Sequence, residues 1–96
     1  MGVHFEWDRH KATINVRNHG ISFDEASTVF DDPLAAIFDD EDHSLDEARE
    51  IIIGRSISDR IVLVCFTERA PDVIRIFSAR LATRKERKDY EENLNL

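Results

Sequence analysis

Apolar positions along the chain change spacing three times, and each change marks an element. From residue 60 to 68 Ile61, Leu63, Cys65 and Thr67 alternate with Val62, Val64, Phe66 and Glu68, the period-2 pattern of a strand. Residues 51–55 and 73–80 read the same way, and residues 34–38 and 3–7 as shorter strands. Gly54 to Asp59 and the run Arg69-Ala70-Pro71-Asp72 supply the turn chemistry between them. Ahead of this meander Ala26, Val29 and Phe30 recur at helical spacing.

Helix boundaries are written in capping residues. Asp8 stands before a helix over residues 9–19, which Gly20 closes. Ser22 and Glu25, Ser44 and Glu47, and Thr83 and Glu86 each have capping-box spacing, where the hydroxyl takes the N3 amide and the carboxylate reaches back. Asp31-Asp32-Pro33 ends the second helix, and the third box opens a last helix running to about residue 93. The predicted order is β-α-α-β-β-β-β-α. It is an α+β fold: a small antiparallel meander with two N-terminal helices and one C-terminal helix.

Ninety-six residues, 42% hydrophobic and 34% charged, fit one soluble domain over residues 1–96. No apolar run approaches the roughly 20 residues of a membrane span, and no signal peptide is visible, so a cytoplasmic protein is expected. Cys65 is the single cysteine and sits in an apolar run; a buried, inert thiol in a reducing compartment is the expectation. His4, His10, His19 and His43 lack the spacing of a zinc site, and three glycines are too few for a phosphate-cradling loop. No metal or cofactor is expected.

Charge is divided unevenly. The net is -7, but residues 1–48 hold 3 Lys/Arg against 12 Asp/Glu, and residues 49–96 hold 10 against 8. Arg49, Arg55, Arg60, Arg69, Arg75 and Arg80 stand at strand ends beside apolar centres. Guanidinium forks match phosphate geometry, so such a set suits a polyanion, although each member alone also serves as a solvated or ion-paired surface group. Arg84, Arg87 and Lys88 add a basic face to the last helix, with Tyr90 one turn on. His19 stands in the last turn of its helix, where a histidine serves as a cap or as an acid–base group.

An ordered set of motifs resembles the BrnT toxins. Phe5-Glu6-Trp7-Asp8, Lys11, Asn15, His19-Gly20, Phe23, Ala26 and Phe30 look like that family's opening. Arg49, Ile53-Gly54, Thr67-Glu68-Arg69, the run Arg75-Ile76-Phe77-Ser78-Ala79-Arg80, Glu86-Arg87 and Tyr90 continue the likeness to about residue 92. Departures fall at Ala70-Pro71-Asp72, where glycines are common, at Phe77, where isoleucine is common, and at Ala48, often acidic.

The resemblance implies a RelE-like ribonuclease toxin of a type II toxin–antitoxin pair that inhibits translation. It further implies a BrnA-type antitoxin with a ribbon-helix-helix DNA-binding part, a heterotetrameric complex, and operator binding only through the antitoxin. Catalysis without metal requires a base, an acid and positive charge on the phosphate. Arg49, Arg75 and Arg80 are candidates for the charge, Glu68 or His19 for the base, and His19, Lys11 or Tyr90 for the acid. Lys11, Arg69, Arg84, Arg87 and Lys88 are candidates for RNA binding. Two other readings use the same residues: a non-catalytic RNA- or ribosome-binding module, and a protein-interaction domain with an acidic partner.

Overall fold

A computed structural model describes residues 2–40 and 48–93. The capping box at 44–47 and the loop positions 41–43 lie outside the described residues.

The elements follow the predicted order: β1 (His4–Glu6), α1 (Arg9–His19), α2 (Phe23–Thr28) running into a 3-10 turn (Val29–Asp31), β2 (Ala36–Asp39), β3 (Glu50–Arg55), β4 (Ile61–Ala70), β5 (Val73–Leu81) and α3 (Arg84–Asn93). The strands form one sheet in the order β1-β5-β4-β3-β2. Four strands make the expected antiparallel meander. The fifth corrects it: β1 lies parallel to β5, with Glu6 opposite Arg75, so the sheet is mixed. Parallel strands need a long crossover, and here everything from α1 to β4 lies between the two.

The caps explain the helix ends. Asp8 Oδ1 accepts from Lys11 N at 3.0 Å, and Gly20 closes α1 in the left-handed region at φ 70°, its N–H donating to Val16 O. Thr83 and Glu86 form a complete box: Glu86 N donates to Thr83 Oγ1 at 3.2 Å, and Thr83 N donates to Glu86 Oε1 at 2.8 Å. The box at Ser22 is only half made. Ser22 Oγ accepts from Glu25 N at 3.0 Å, but the Glu25 carboxylate turns to Ser56 and Arg60 instead. A charged fork and a hydroxyl outcompete one backbone amide.

The sheet has an apolar cluster on each face. α1, α2 and the 3-10 turn cover Ile52, Val62, Val64, Phe66, Ile76 and Ala79 with Ile21, Phe23, Ala26 and Val29. Ile53, Ile61 and Leu63 meet Tyr90 of α3 on the other. Gly54 permits the close approach of the 3-10 turn and of Ala35, the residue before β2, because a Cβ there would stand 2.9 Å from both Ala35 Cβ and Val29 Cγ1.

Simple alternation fails in β5. Cys65 pairs with Ser78 but Phe66 pairs with Ile76, leaving Phe77 as an extra residue. This β-bulge lets Ile76 and Ala79, three positions apart, both enter the first cluster. Ile76 therefore does not share a face with Ser78, as strict alternation would require. A second register shift leaves Arg69 as the extra residue of β4.

Candidate functional site

The bulge at Phe77 builds the floor of an open depression of about 440 Å³. Lys11 and His19 of α1, Asp40 after β2, Arg49 and Ile51 at the start of β3, Leu63 and Cys65 of β4, and Phe77 to Arg80 of β5 line it. The Arg49 guanidinium carbon lies 3.9 Å from the centre of the Phe77 ring, and Lys11 Nζ lies 5.9 Å from it. Both distances are within cation–π reach. One aromatic ring thus lies near two cations, one from α1 and one from the start of β3.

α1 is held there by Asn15, a buried polar side chain. Its Nδ2 donates to Ile21 O and Ala79 O, both at 2.9 Å, and its Oδ1 accepts from Ala79 N at 3.1 Å. Lys11 and His19 lie one turn to either side of this anchor along the helix.

Arg80 is gripped from α3. Its two terminal nitrogens donate to Glu86 Oε1 and Oε2 at 2.7 and 2.9 Å, a bidentate pair. Hydrogen bonds from Arg80 pull the Glu86 carboxyl down to about 2, against the opposing effect of burial. The Arg80 guanidinium is held above its ordinary value by the same pair. Cys65 is half-buried rather than buried, since it lines the depression; its Sγ donates to Asp40 Oδ2 at 3.3 Å.

Of the sequence-derived candidates, Lys11, His19, Arg49 and Arg80 come together. The others do not line the depression. Arg69 and Arg75 both donate to Glu6 Oε2 of β1, at 2.8 and 2.9 Å, and those bonds hold the Glu6 carboxyl below its usual range. Glu68 is exposed near the far end of β4. Tyr90 is 4% exposed and packs under α3, donating to Asp32 Oδ2. Burial, and then that bond, push the phenol up to about 12. Lys88 pairs with Glu92 at 3.9 Å on the outer side of α3, and Arg84 is exposed. Arg87 lines a separate hollow of about 300 Å³ with Arg55, Arg60 and Leu81.

Asp40, Cys65, Phe77 and Ser78 were not candidates on the sequence. Alternation puts Phe77 on one face with Val73, Arg75 and Ala79, so nothing in the strand pattern singles it out until the bulge is seen. Among the described residues no group of three or more His, Cys, Asp or Glu side chains is placed to hold a metal ion.

Residues 7–86 match the family model described as "Ribonuclease toxin, BrnT, of type II toxin-antitoxin system". The chain belongs to the BrnT family. The match spans both α1 and β5, and so every side chain that lines the depression. The fold is also similar to that of the Brucella abortus ribonuclease toxin BrnT, known from a 1.1 Å crystal structure. The TM-score is 0.67 at 23% identity, over 85% of this chain and 99% of that one. No curated protein sequence matches the chain. Membership of a type II toxin family implies a protein antitoxin as partner. Among the described residues no helix is long and apolar enough to cross a membrane.

Proposed function

We propose that this BrnT-family chain is a cytoplasmic endoribonuclease that cleaves RNA in the Phe77 depression without a metal ion, and thereby inhibits translation. The convergence of Lys11, His19, Arg49 and Arg80 on one open surface carries this reading. In the proposed reaction the ribose 2′-oxygen attacks the adjacent phosphorus, and His19 takes its proton. The bond from phosphorus to the 5′-oxygen breaks, and that oxygen is protonated by the Lys11 ammonium. The products are a 2′,3′-cyclic phosphate and a free 5′-hydroxyl. Arg49 and Arg80 meet the extra negative charge on the phosphorane, the kind of group whose removal typically costs about 100- to 1,000-fold in rate.

Preorganisation supports the two arginines in that role. Arg49 is stacked on Phe77 and Arg80 is clamped by Glu86, so neither must be ordered when RNA arrives. Arg69, Arg75, Arg84, Arg87 and Lys88 remain outside this chemistry and steer polyanion at longer range. The partner is a BrnA-type ribbon-helix-helix antitoxin in a heterotetramer that reaches operator DNA through the antitoxin, on a RelE-like toxin fold.

Purified protein incubated with RNA in excess EDTA tests the reading. Fragments ending in 2′,3′-cyclic phosphate, lost in Arg49→Ala and His19→Ala, are expected. RNA left intact by a folded protein overturns it, and retention on RNA without cleavage favours a non-catalytic binding module.

A further inference from the structure

The outer edge of β2 has the marks of a docking strand. β2 ends the sheet, so one side of its backbone has no neighbouring strand among the described residues. Asp40 N donates to Arg49 O, and the antiparallel register runs Phe38 to Ile51 and Ala36 to Ile53. Hydrogen-bonded pairs alternate along such a ladder. The amide and carbonyl groups of Ile37 and Asp39 therefore point off the sheet. Leu34, Ile37 and Phe38 are 57%, 54% and 48% exposed around this edge. An apolar, open edge strand is a surface natural proteins normally blunt.

Charge selects the occupant. β2 lies in the acidic half, flanked by the exposed carboxylates of Asp31 and Asp39. A second copy of the chain would bring together two molecules of net charge -7 along their acidic halves. A strand with an apolar centre and basic flanks meets no such repulsion. The edge also borders the proposed RNA site, because Asp40, the next residue after β2, lines the depression.

We infer that β2 is where the antitoxin adds a strand, extending the sheet by one and bringing its chain to the rim of the Phe77 depression. Family membership supplies the antitoxin, and this inference rests on that membership rather than on the cleavage chemistry. Main-chain bonds to Ile37 and Asp39 give affinity, and Ile37 and Phe38, on opposite faces, give side-chain specificity.

The test uses the full chain and its cognate antitoxin. In the complex, amide hydrogen exchange at Ile37 and Asp39 slows at least about tenfold, a modest effect for a new ladder bond. Ile37→Pro removes only an outward amide, which an edge strand tolerates. It weakens antitoxin binding by about tenfold or more while RNA cleavage stays at the parent level. Ile37→Lys, a half-exposed change that leaves the ladder intact, does the same by removing apolar contact and reversing local charge. Unchanged exchange at both amides in the saturated complex overturns the proposal, as does self-association of the free chain through β2 that antitoxin leaves intact. Absence of RNA cleavage by the parent protein bears on the ribonuclease reading alone, since exchange and binding are read without RNA.

Discussion

Asn15 serves Ala79 as a strand would. β1 pairs with β5 only as far as Arg75. Further along, the Asn15 side-chain amide takes up both the N–H and the C=O of Ala79, at 3.1 and 2.9 Å. A primary amide carries the same donor and acceptor as a peptide group, so one side chain completes the ladder and pins α1 beside the depression. Asn15→Ala leaves three buried backbone partners without it, since Ile21 O also accepts from Asn15. A loss of roughly 3 kcal/mol is expected, which in a chain of this size is at least a 10 °C fall in Tm. Calorimetry measures it; a shift under about 3 °C contradicts the anchor.

Gly54→Ala places a methyl group 2.9 Å from Ala35 Cβ and Val29 Cγ1, and 3.1 Å from Asp32 Oδ2. These neighbours are short side chains fixed by packing, or, for Asp32, by bonds from Arg55 N and Tyr90, rather than flexible tips. Overpacking of this kind costs about 1–3 kcal/mol, read as a lowered urea midpoint at constant m. An unchanged midpoint shows that the 3-10 turn yields.

The Arg80–Glu86 pair sets a pH dependence with a definite sign. The Glu86 carboxyl falls from 4.5 unfolded to about 2 folded. Its contribution is fully present above pH 4.5 and is lost as pH falls toward 2. Arg80 is 44% exposed, so solvent screening cuts the value to roughly 1 kcal/mol. Glu86→Gln removes this part of the acid limb in urea titrations between pH 5 and 2. Identical limbs in both proteins contradict the pairing.

Tyr90 gives the mirror case at high pH. Its phenol rises from 10.0 to about 12 through burial and the bond to Asp32. The neutral form is the favoured one, so this stability is present below pH 10 and is lost as pH rises toward 12. Tyr90→Phe costs about 1 kcal/mol at neutral pH and flattens that alkaline limb. Tyr90 lies away from the depression, so the variant cuts RNA at the parent rate. A large fall in cleavage with unchanged folding assigns it a part in the reaction.

Phe77 tests the floor of the site. Phe77→Leu keeps an apolar side chain of similar bulk but removes the ring under Arg49 and near Lys11. RNA cleavage falls about tenfold or more, since a mispositioned group commonly costs that much. Tm changes little, because Phe77 is outside both apolar clusters. Full activity in the variant removes the ring from the site.

Local signals carried most of the fold. Alternation from Ile61 to Phe66, the caps at Asp8, Ser22 and Thr83, and Gly20 each name an element through chemistry within four residues. What stayed hidden depends on distant partners. β1 joins β5 in parallel through residues almost seventy positions apart, and no local pattern specifies that. The bulge at Phe77 follows from how β4 and β5 fit both clusters at once, so alternation misassigned the faces of β5. The strand-end arginines were visible as a set but not in their pairing. Arg60, Arg69 and Arg75 are bound to Glu25 and Glu6, which only the folded chain brings near, and Arg55 to Asp59 four residues on. Arg49 and Arg80 are the two of that set that reach the depression.

Because the first strand is stitched to the last, the molecule closes late. During synthesis Lys11 and His19 leave the ribosome long before Phe77 and Arg80, and a chain truncated ahead of β5 has neither the ring nor the edge that Asn15 grips. A growing polypeptide therefore lacks the proposed RNA surface until the final hairpin has emerged.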